Sequence, residues 1–167
     1  VKKRPGNARA HLNLGRVWKE EGRLEAAVAE YRNALRLSPL MAQAHYNLGA
    51  ALAEQGKLAD AAGHDEMAVR ITPDSEAARY NFALVLEYQG KLDEAIAQYQ
   101  EALRLRPDWM EAHNNLGLVL VRQGRLDEAI RHYQAALRAS PGAPVVLNNL
   151  RRALAQRRAP TGDVEGR

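Results

Sequence analysis

The stretch GKLDEAIAQYQEALRLRP, residues 90–107, decides the fold, because copies of it recur along the chain. Residues 124–141 read GRLDEAIRHYQAALRASP, residues 22–39 read GRLEAAVAEYRNALRLSP, and a weaker copy, GKLADAAGHDEMAVRITP, occupies residues 56–73. One copy therefore begins every 34 residues. Self-similarity at a fixed period of this length is the signature of a repeat architecture. The sequence predicts a stack of similar small units, each contacting its neighbours.

Each copy predicts a helix, called helix B below, with recognisable signals at both ends. Its opening glycine suits a left-handed cap on the preceding helix, acidic residues such as Asp93 and Glu94 favour the helix start, and a proline follows its end. A second segment precedes every copy, for example HNNLGLVLVRQ before the last one, and predicts a helix A. The resulting repeats 1 to 4 span residues 8–41, 42–75, 76–109 and 110–143.

Small residues stand where helices A and B must approach closely, and an aromatic residue recurs on helix B. These positions hold Gly15, Gly49, Ala83 and Gly117 on helix A, and Ala27, Ala61, Ala95, Ala129, Tyr31, Tyr99 and Tyr133 on helix B. A 34-residue helix–turn–helix with a leucine–glycine pair, this alanine spacing and a closing proline resembles the tetratricopeptide repeat. The resemblance implies an all-α fold, a right-handed superhelical α-solenoid of stacked hairpins whose A helices line a concave groove.

Both ends of the chain depart from the repeat. Residues 1–7 begin with VKKRP, which aligns with the last turn of a helix B and its proline, so either the chain is a fragment of a longer array or the match is a short accident. Residues 144–158 repeat helix A alone, with Arg151 in place of the packing glycine. We predict a capping helix there, because repeat arrays need a solvated terminal face. Residues 159–167 predict a disordered polar tail.

One asparagine recurs on every predicted helix A, although asparagine is a poor residue for a helix interior. The five are Asn13, Asn47, Asn81, Asn115 and Asn149. At about 100° per residue, each lies beside the apolar stripe, on the flank facing the groove. An amide both donates and accepts hydrogen bonds, so a ladder of amides could hold an extended peptide backbone. The repeats of O-linked N-acetylglucosamine transferase look similar, and that likeness implies peptide binding. The alternative is inherited residues that bridge neighbouring helices.

Other side chains at groove-facing positions extend the predicted binding surface. Aromatic and basic residues are common at binding hot spots, and the predicted contacts are Arg9, Arg16, Tyr46, Tyr80, Leu84, Tyr88, Leu118 and Arg122. We also assign Lys19 and Asn114 to this surface. The expected ligand has apolar anchors in its middle and acidic residues near repeat 1.

Repeat 2 breaks the pattern on its helix B. Asp65 stands where the other repeats have a tyrosine, and Gly63 lies two residues earlier. The loss of aromatic burial and of helix propensity should weaken this helix. We interpret Asp65 as local drift, with its carboxylate exposed or bonded to water. A deliberately soft helix and a side pocket for a partner are the alternatives.

Composition and motifs argue against several classes of protein. No run of about 18 apolar residues predicts a membrane span, no signal peptide is apparent, and the absence of cysteine excludes thiolate metal sites. The net charge is +4, without the basic stripe of nucleic-acid binders. His11, His45 and His113 occupy equivalent positions of different repeats, too far apart to share a zinc ion. With no phosphate loop or catalytic constellation either, we predict no cofactor and no enzymatic activity.

The sequence thus predicts a protein-interaction scaffold that binds a peptide or protein segment in its groove, and a cytoplasmic compartment is favoured. Two alternatives stay open. The chain could be the substrate-recognition part of a larger enzyme, such as a glycosyltransferase. It could also be a self-assembling structural repeat, forming a homo-oligomer by end-to-end stacking.

Overall fold

The computed structural model describes residues 7–158, and this range consists of α-helices and short connecting turns. The all-α prediction is confirmed. Within the described range the helices are α1 Ala8–Glu20, α2 Leu24–Leu37, α3 Ala42–Glu54, α4 Leu58–Ile71, α5 Glu76–Tyr88, α6 Leu92–Leu105, α7 Met110–Arg122, α8 Leu126–Ala139 and α9 Pro144–Arg158. Residues 1–6 of the N-terminal segment and the tail predicted for residues 159–167 lie outside the described residues.

Each repeat folds as an antiparallel helical hairpin closed by the same turn. The A helices are α1, α3, α5 and α7, and each packs on the B helix that follows it. The turn glycines have φ values between +73° and +76°, and they are Gly22, Gly56, Gly90 and Gly124. Glycine adopts this left-handed conformation without a steric penalty, which is why it caps a helix so often.

Helices α1 to α6 form one compact unit, which ends at Leu105 and is called the N-terminal unit below. Helices α2 and α4 also pack on the A helices that follow them, α3 and α5, and α3 contacts both α1 and α5. The core of this unit includes the fully buried side chains Tyr31, Leu48, Leu52, Leu86 and Tyr99. Three hairpins therefore stack on each other through alternating A and B contacts.

The C-terminal unit runs from Arg106 and holds α7, α8 and α9. Helix α9 packs mainly on α8 and also touches α7. Its buried residues are Val146 and Ala153, whereas Arg151 is exposed. The helix thus covers one side of the α7–α8 hairpin and presents charged residues to solvent.

Glycine on helix A makes room for the tyrosine of helix B. A Cβ atom placed on Gly117 would lie 2.5 Å from Cε1 of Tyr133, and the pair Gly15 and Tyr31 gives the same distance. Both rings are almost completely buried. A methyl group would collide with these two rings unless they shifted, which favours glycine in these two hairpins although glycine lowers helix propensity.

No helix in the described part of the chain has the length and apolarity needed to cross a membrane.

Candidate functional site

A cavity of about 580 Å³ in the N-terminal unit brings together five of the residues predicted from sequence, with Lys19 contributing from α1. Tyr46 contributes from α3, and Asn81, Leu84 and Tyr88 contribute from α5. Tyr88 is 71% exposed, so the cavity has an open aromatic rim. A volume between about 300 and 1,000 Å³ is typical of ligand sites. The cavity is therefore large enough for a side chain together with part of the backbone that carries it.

Asp65 of α4 also lines this cavity, and it is only 1% exposed. The interpretation of Asp65 as an exposed residue is wrong, because the carboxyl lies against Gly49 at the place where Tyr31 and Tyr133 lie in their own hairpins. Neither carboxylate oxygen has a hydrogen-bond partner within residues 7–158. Burial raises the pKa of Asp65 from 3.8 to about 8, because the charged form is poorly solvated.

An ion pair crosses the edge of the same cavity. Nζ of Lys19 lies 2.9 Å from Oε1 of Glu54, and both side chains line the cavity. The pair joins the end of α1 to the end of α3. Because these two charges neutralise each other, the remaining acidic group of the lining is Asp65.

The three ladder asparagines of the N-terminal unit have different surroundings despite their equivalent positions. Asn13 is exposed, whereas Asn47 and Asn81 are half-buried. The side-chain oxygen of Asn47 accepts a hydrogen bond from Nε2 of Gln43 at 3.4 Å. Nδ2 of Asn47 is buried and has no partner within the described residues. A donor without a partner is a structural reason to look for a ligand acceptor there.

The remaining predicted residues of this unit do not line the cavity. Arg9 and Arg16 are exposed on α1. Tyr80 is half-buried and meets the ring of Tyr99 edge-on, with 5.8 Å between the ring centroids. This geometry is typical of aromatic packing, so Tyr80 contributes to the contact between α5 and α6.

In the C-terminal unit, amide side chains bond to each other. Nδ2 of Asn149 donates to Oδ1 of Asn114 at 2.9 Å, and Nδ2 of Asn114 donates to Oδ1 of Asn115 at 3.2 Å. Asn114 is only 9% exposed, so its assignment to the binding surface is wrong, since α9 packs over it. Asn149 acts here as a bridge between helices. Leu118 and Arg122 are exposed on α7.

Two A-helix histidines, His45 and His113, each contact a histidine of helix B, and this pairing was not predicted from the sequence. Nε2 of His45 lies 2.9 Å from the carbonyl oxygen of Pro39, and Nδ1 lies 3.0 Å from Nδ1 of His64. A carbonyl only accepts, so Nε2 of His45 carries the proton and Nδ1 accepts from His64. His113 and His132 repeat this geometry, again 19 residues apart. The recurrence of two histidines 19 residues apart was the sequence signal that could have indicated this contact. The two rings join helices A and B of one hairpin.

Burial opposes the charged form of these rings. Burial, together with charge repulsion from the neighbouring His113, lowers the pKa of His132 from 6.5 to about 4. The pKa of His64 is lowered for the same two reasons, with His45 as the neighbour. Among residues 7–158, no three His, Asp or Glu side chains are grouped to hold a metal ion.

Family models described as tetratricopeptide repeats match residues 15–56, 40–108 and 80–144. The chain contains tetratricopeptide repeats. This tetratricopeptide-repeat chain is similar to the crystal structure of YrrB, a protein with an unusual peptide-binding site, at 26% identity and a TM-score of 0.79 over 90% of this chain and 78% of YrrB. It matches MamA at 26% identity and a TM-score of 0.78, covering 82% of this chain and 80% of MamA.

The fold is also that of PilF from Pseudomonas aeruginosa, at 24% identity and a TM-score of 0.82, covering 90% of this chain and 69% of PilF. No curated protein sequence matches the chain.

Proposed function

We propose that this chain is a protein-interaction scaffold that binds an extended peptide segment along the A helices of its N-terminal unit. The observation that carries the proposal is the cavity lined by Tyr46, Asn81, Leu84 and Tyr88. Residues chosen from helical periodicity alone converge there on one concave, partly apolar surface. The similarity to YrrB, a protein with a peptide-binding site, supports the same conclusion.

The chemistry of the surface suits a peptide in two ways. The amides of Asn47 and Asn81 offer donors to peptide carbonyl groups, which gives affinity that does not depend on the peptide sequence. Tyr46, Leu84 and Tyr88 offer apolar area for side-chain anchors, and tyrosine is enriched at binding hot spots. Binding needs no covalent step, so the chain acts by equilibrium association and not as an enzyme.

The other exposed positions are proposed as secondary contacts within their own units. Arg9, Asn13 and Arg16 project from α1, and Leu118 and Arg122 project from α7. Charged rim residues, such as the arginines of this set, mainly affect association rate and salt dependence. We leave Asn149 and Tyr80 out of the contact set, because their side chains take part in packing between helices.

Selection from a random peptide library tests the proposal. The wild-type chain and the double variant Asn47→Ala/Asn81→Ala are panned in parallel, after circular dichroism confirms that both are folded. The matched control is Asn148→Ala, which removes an exposed amide from α9. We expect wild type and control to enrich the same peptides and the double variant to lose them. Equal enrichment by all three chains would assign the amides to the scaffold alone.

A further inference from the structure

We propose that the cavity of the N-terminal unit takes an arginine side chain of the bound peptide, with the guanidinium group on the carboxylate of Asp65. This inference rests on the proposed peptide binding and specifies what the peptide must contain.

Asp65 occupies a position built for a different residue. The equivalent residues Tyr31, Tyr99 and Tyr133 are fully buried and fill the space over helix A in their hairpins. In repeat 2 the packing glycine, Gly49, is retained, but the ring is replaced by a shorter carboxyl. A cavity of about 580 Å³ adjoins that carboxyl. The replacement thus provides both a space and an acidic residue in its lining.

The carboxyl has two acceptor oxygens and no internal partner. Both oxygens are buried and unbonded within residues 7–158. A buried acceptor without a hydrogen bond is unfavourable. A buried carboxyl with two such oxygens therefore needs an explanation, and a hydrogen-bond donor from a bound partner is one. Strongly perturbed acidic groups that line a cleft are candidates for functional sites.

The lining favours a cation and, among cations, a guanidinium group. Lys19 is already paired with Glu54 at 2.9 Å, so the charge of an ionised Asp65 is left without a counterion in the lining. Two free oxygens match the planar fork of arginine, which binds a carboxylate through two parallel hydrogen bonds. Arginine is also less strongly hydrated than lysine and stacks on aromatic faces. Tyr46 and Tyr88 supply such faces in the cavity lining.

Binding of this kind must be coupled to proton release. The other charged or titratable groups of the lining are Lys19 from α1, Tyr46 and Glu54 from α3, and Tyr88 from α5. On α4 itself, His64 is engaged with His45 in their hairpin contact. Burial raises the pKa of Asp65 to about 8. The carboxyl is then mostly protonated at neutral pH, so a guanidinium ion displaces a proton. The association constant should rise about ten-fold per pH unit below pH 8 and level off above it.

Peptide selection with Asp65 variants tests the assignment. The variants are Asp65→Asn, which keeps the shape and removes the charge, and Asp65→Tyr, which restores the residue of the other repeats. The matched control is Asp60→Asn, an exposed carboxylate on the same helix. We expect wild type and Asp60→Asn to enrich arginine at one fixed peptide position. Both Asp65 variants should lose that preference, and Asp65→Asn should still select peptides.

The outcomes separate this inference from the proposed function. Enrichment of peptides without arginine, or equal arginine enrichment by Asp65→Asn, would overturn the assignment and leave peptide binding intact. If the wild-type chain selects no peptides, a small probe decides. N-acetyl-arginine methylamide should then shift the amide resonances of Ala50, Ala53 and Leu84 in the wild type but not in Asp65→Asn. The uncharged isostere N-acetyl-citrulline methylamide should shift them in neither, and equal shifts by both probes would refute the role of the charge.

Discussion

Replacement of Asp65 by asparagine should change how the stability of the chain depends on pH. In the folded chain, burial raises the pKa of Asp65 from 3.8 to about 8. Between these two values the folded state keeps the proton and the unfolded state releases it. Stability from this group is therefore complete below pH 3.8 and is lost as the pH rises towards 8. Asparagine does not titrate, so the variant lacks this loss.

The expected size of the effect follows from the same two pKa values. Linkage gives a loss of about 3 to 4 kcal/mol in the free energy of unfolding of the wild type between pH 5 and pH 8, from Asp65 alone. The stability gap, defined as the free energy of unfolding of Asp65→Asn minus that of the wild type, should therefore increase by that amount from pH 5 to pH 8. The histidines have the opposite dependence, because burial lowers the pKa of His64 and His132. They are present in both chains, so their contribution cancels in the difference.

Urea denaturation followed by circular dichroism at 222 nm measures this gap. Wild type, Asp65→Asn and the exposed-site control Asp60→Asn are compared at pH 5, 6, 7 and 8. The gap to the wild type should widen with pH for Asp65→Asn and stay constant for Asp60→Asn. A gap for Asp65→Asn that does not change with pH would show that the carboxyl ionises normally in the folded chain, and the reasoning from its burial would be refuted.

Three further predictions concern packing, turns and the histidine pairs. Gly117→Ala should destabilise the chain by about 1–3 kcal/mol, because the new methyl group collides with Tyr133. Gly63→Ala should stabilise it by about 0.5–1 kcal/mol, because a Cβ there meets open space in mid-helix. Urea midpoints that move in the same direction for both variants would contradict the packing argument. Gly124→Ala should cost about 1–2 kcal/mol in the same assay, because φ is +75° there, and an unchanged midpoint would show that the turn tolerates a side chain. The proton NMR titration of His132 should have its midpoint near pH 4. Since this folded-state pKa lies below 6.5, the stability of the chain is lost as the pH falls from 6.5 towards 4. A midpoint near 6.5 would exclude the buried pair.

The helices and turns were predictable because their signals are local. The 34-residue period, the turn glycines and the closing prolines each act through backbone geometry within a few residues. The small residues predicted close helix packing, and the contacts of Gly15 with Tyr31 and of Gly117 with Tyr133 have the expected geometry. Repetition strengthened every one of these signals, since the same residue recurs at the same position.

The candidate site was only partly predictable. Helical periodicity selected Tyr46, Asn81, Leu84 and Tyr88, because the angle of a residue on its helix depends on sequence position alone. The state of Asp65 could not be derived in this way. Sequence showed that a tyrosine was replaced, but the burial of the carboxyl depends on how α3, α4 and α5 pack around it. The burial of Asn114 depends in the same way on the placement of α9.

The most direct test of the central claim is to locate a selected peptide on the chain. A peptide from the wild-type selection is given a nitroxide label, and paramagnetic broadening of the backbone amides is measured in the complex. We expect broadening centred on α3 and α5, strongest at Tyr46, Ala50, Leu84 and Tyr88. Broadening centred on the exposed arginines of the B helices, such as Arg70 and Arg104, with the cavity residues unaffected, would contradict it.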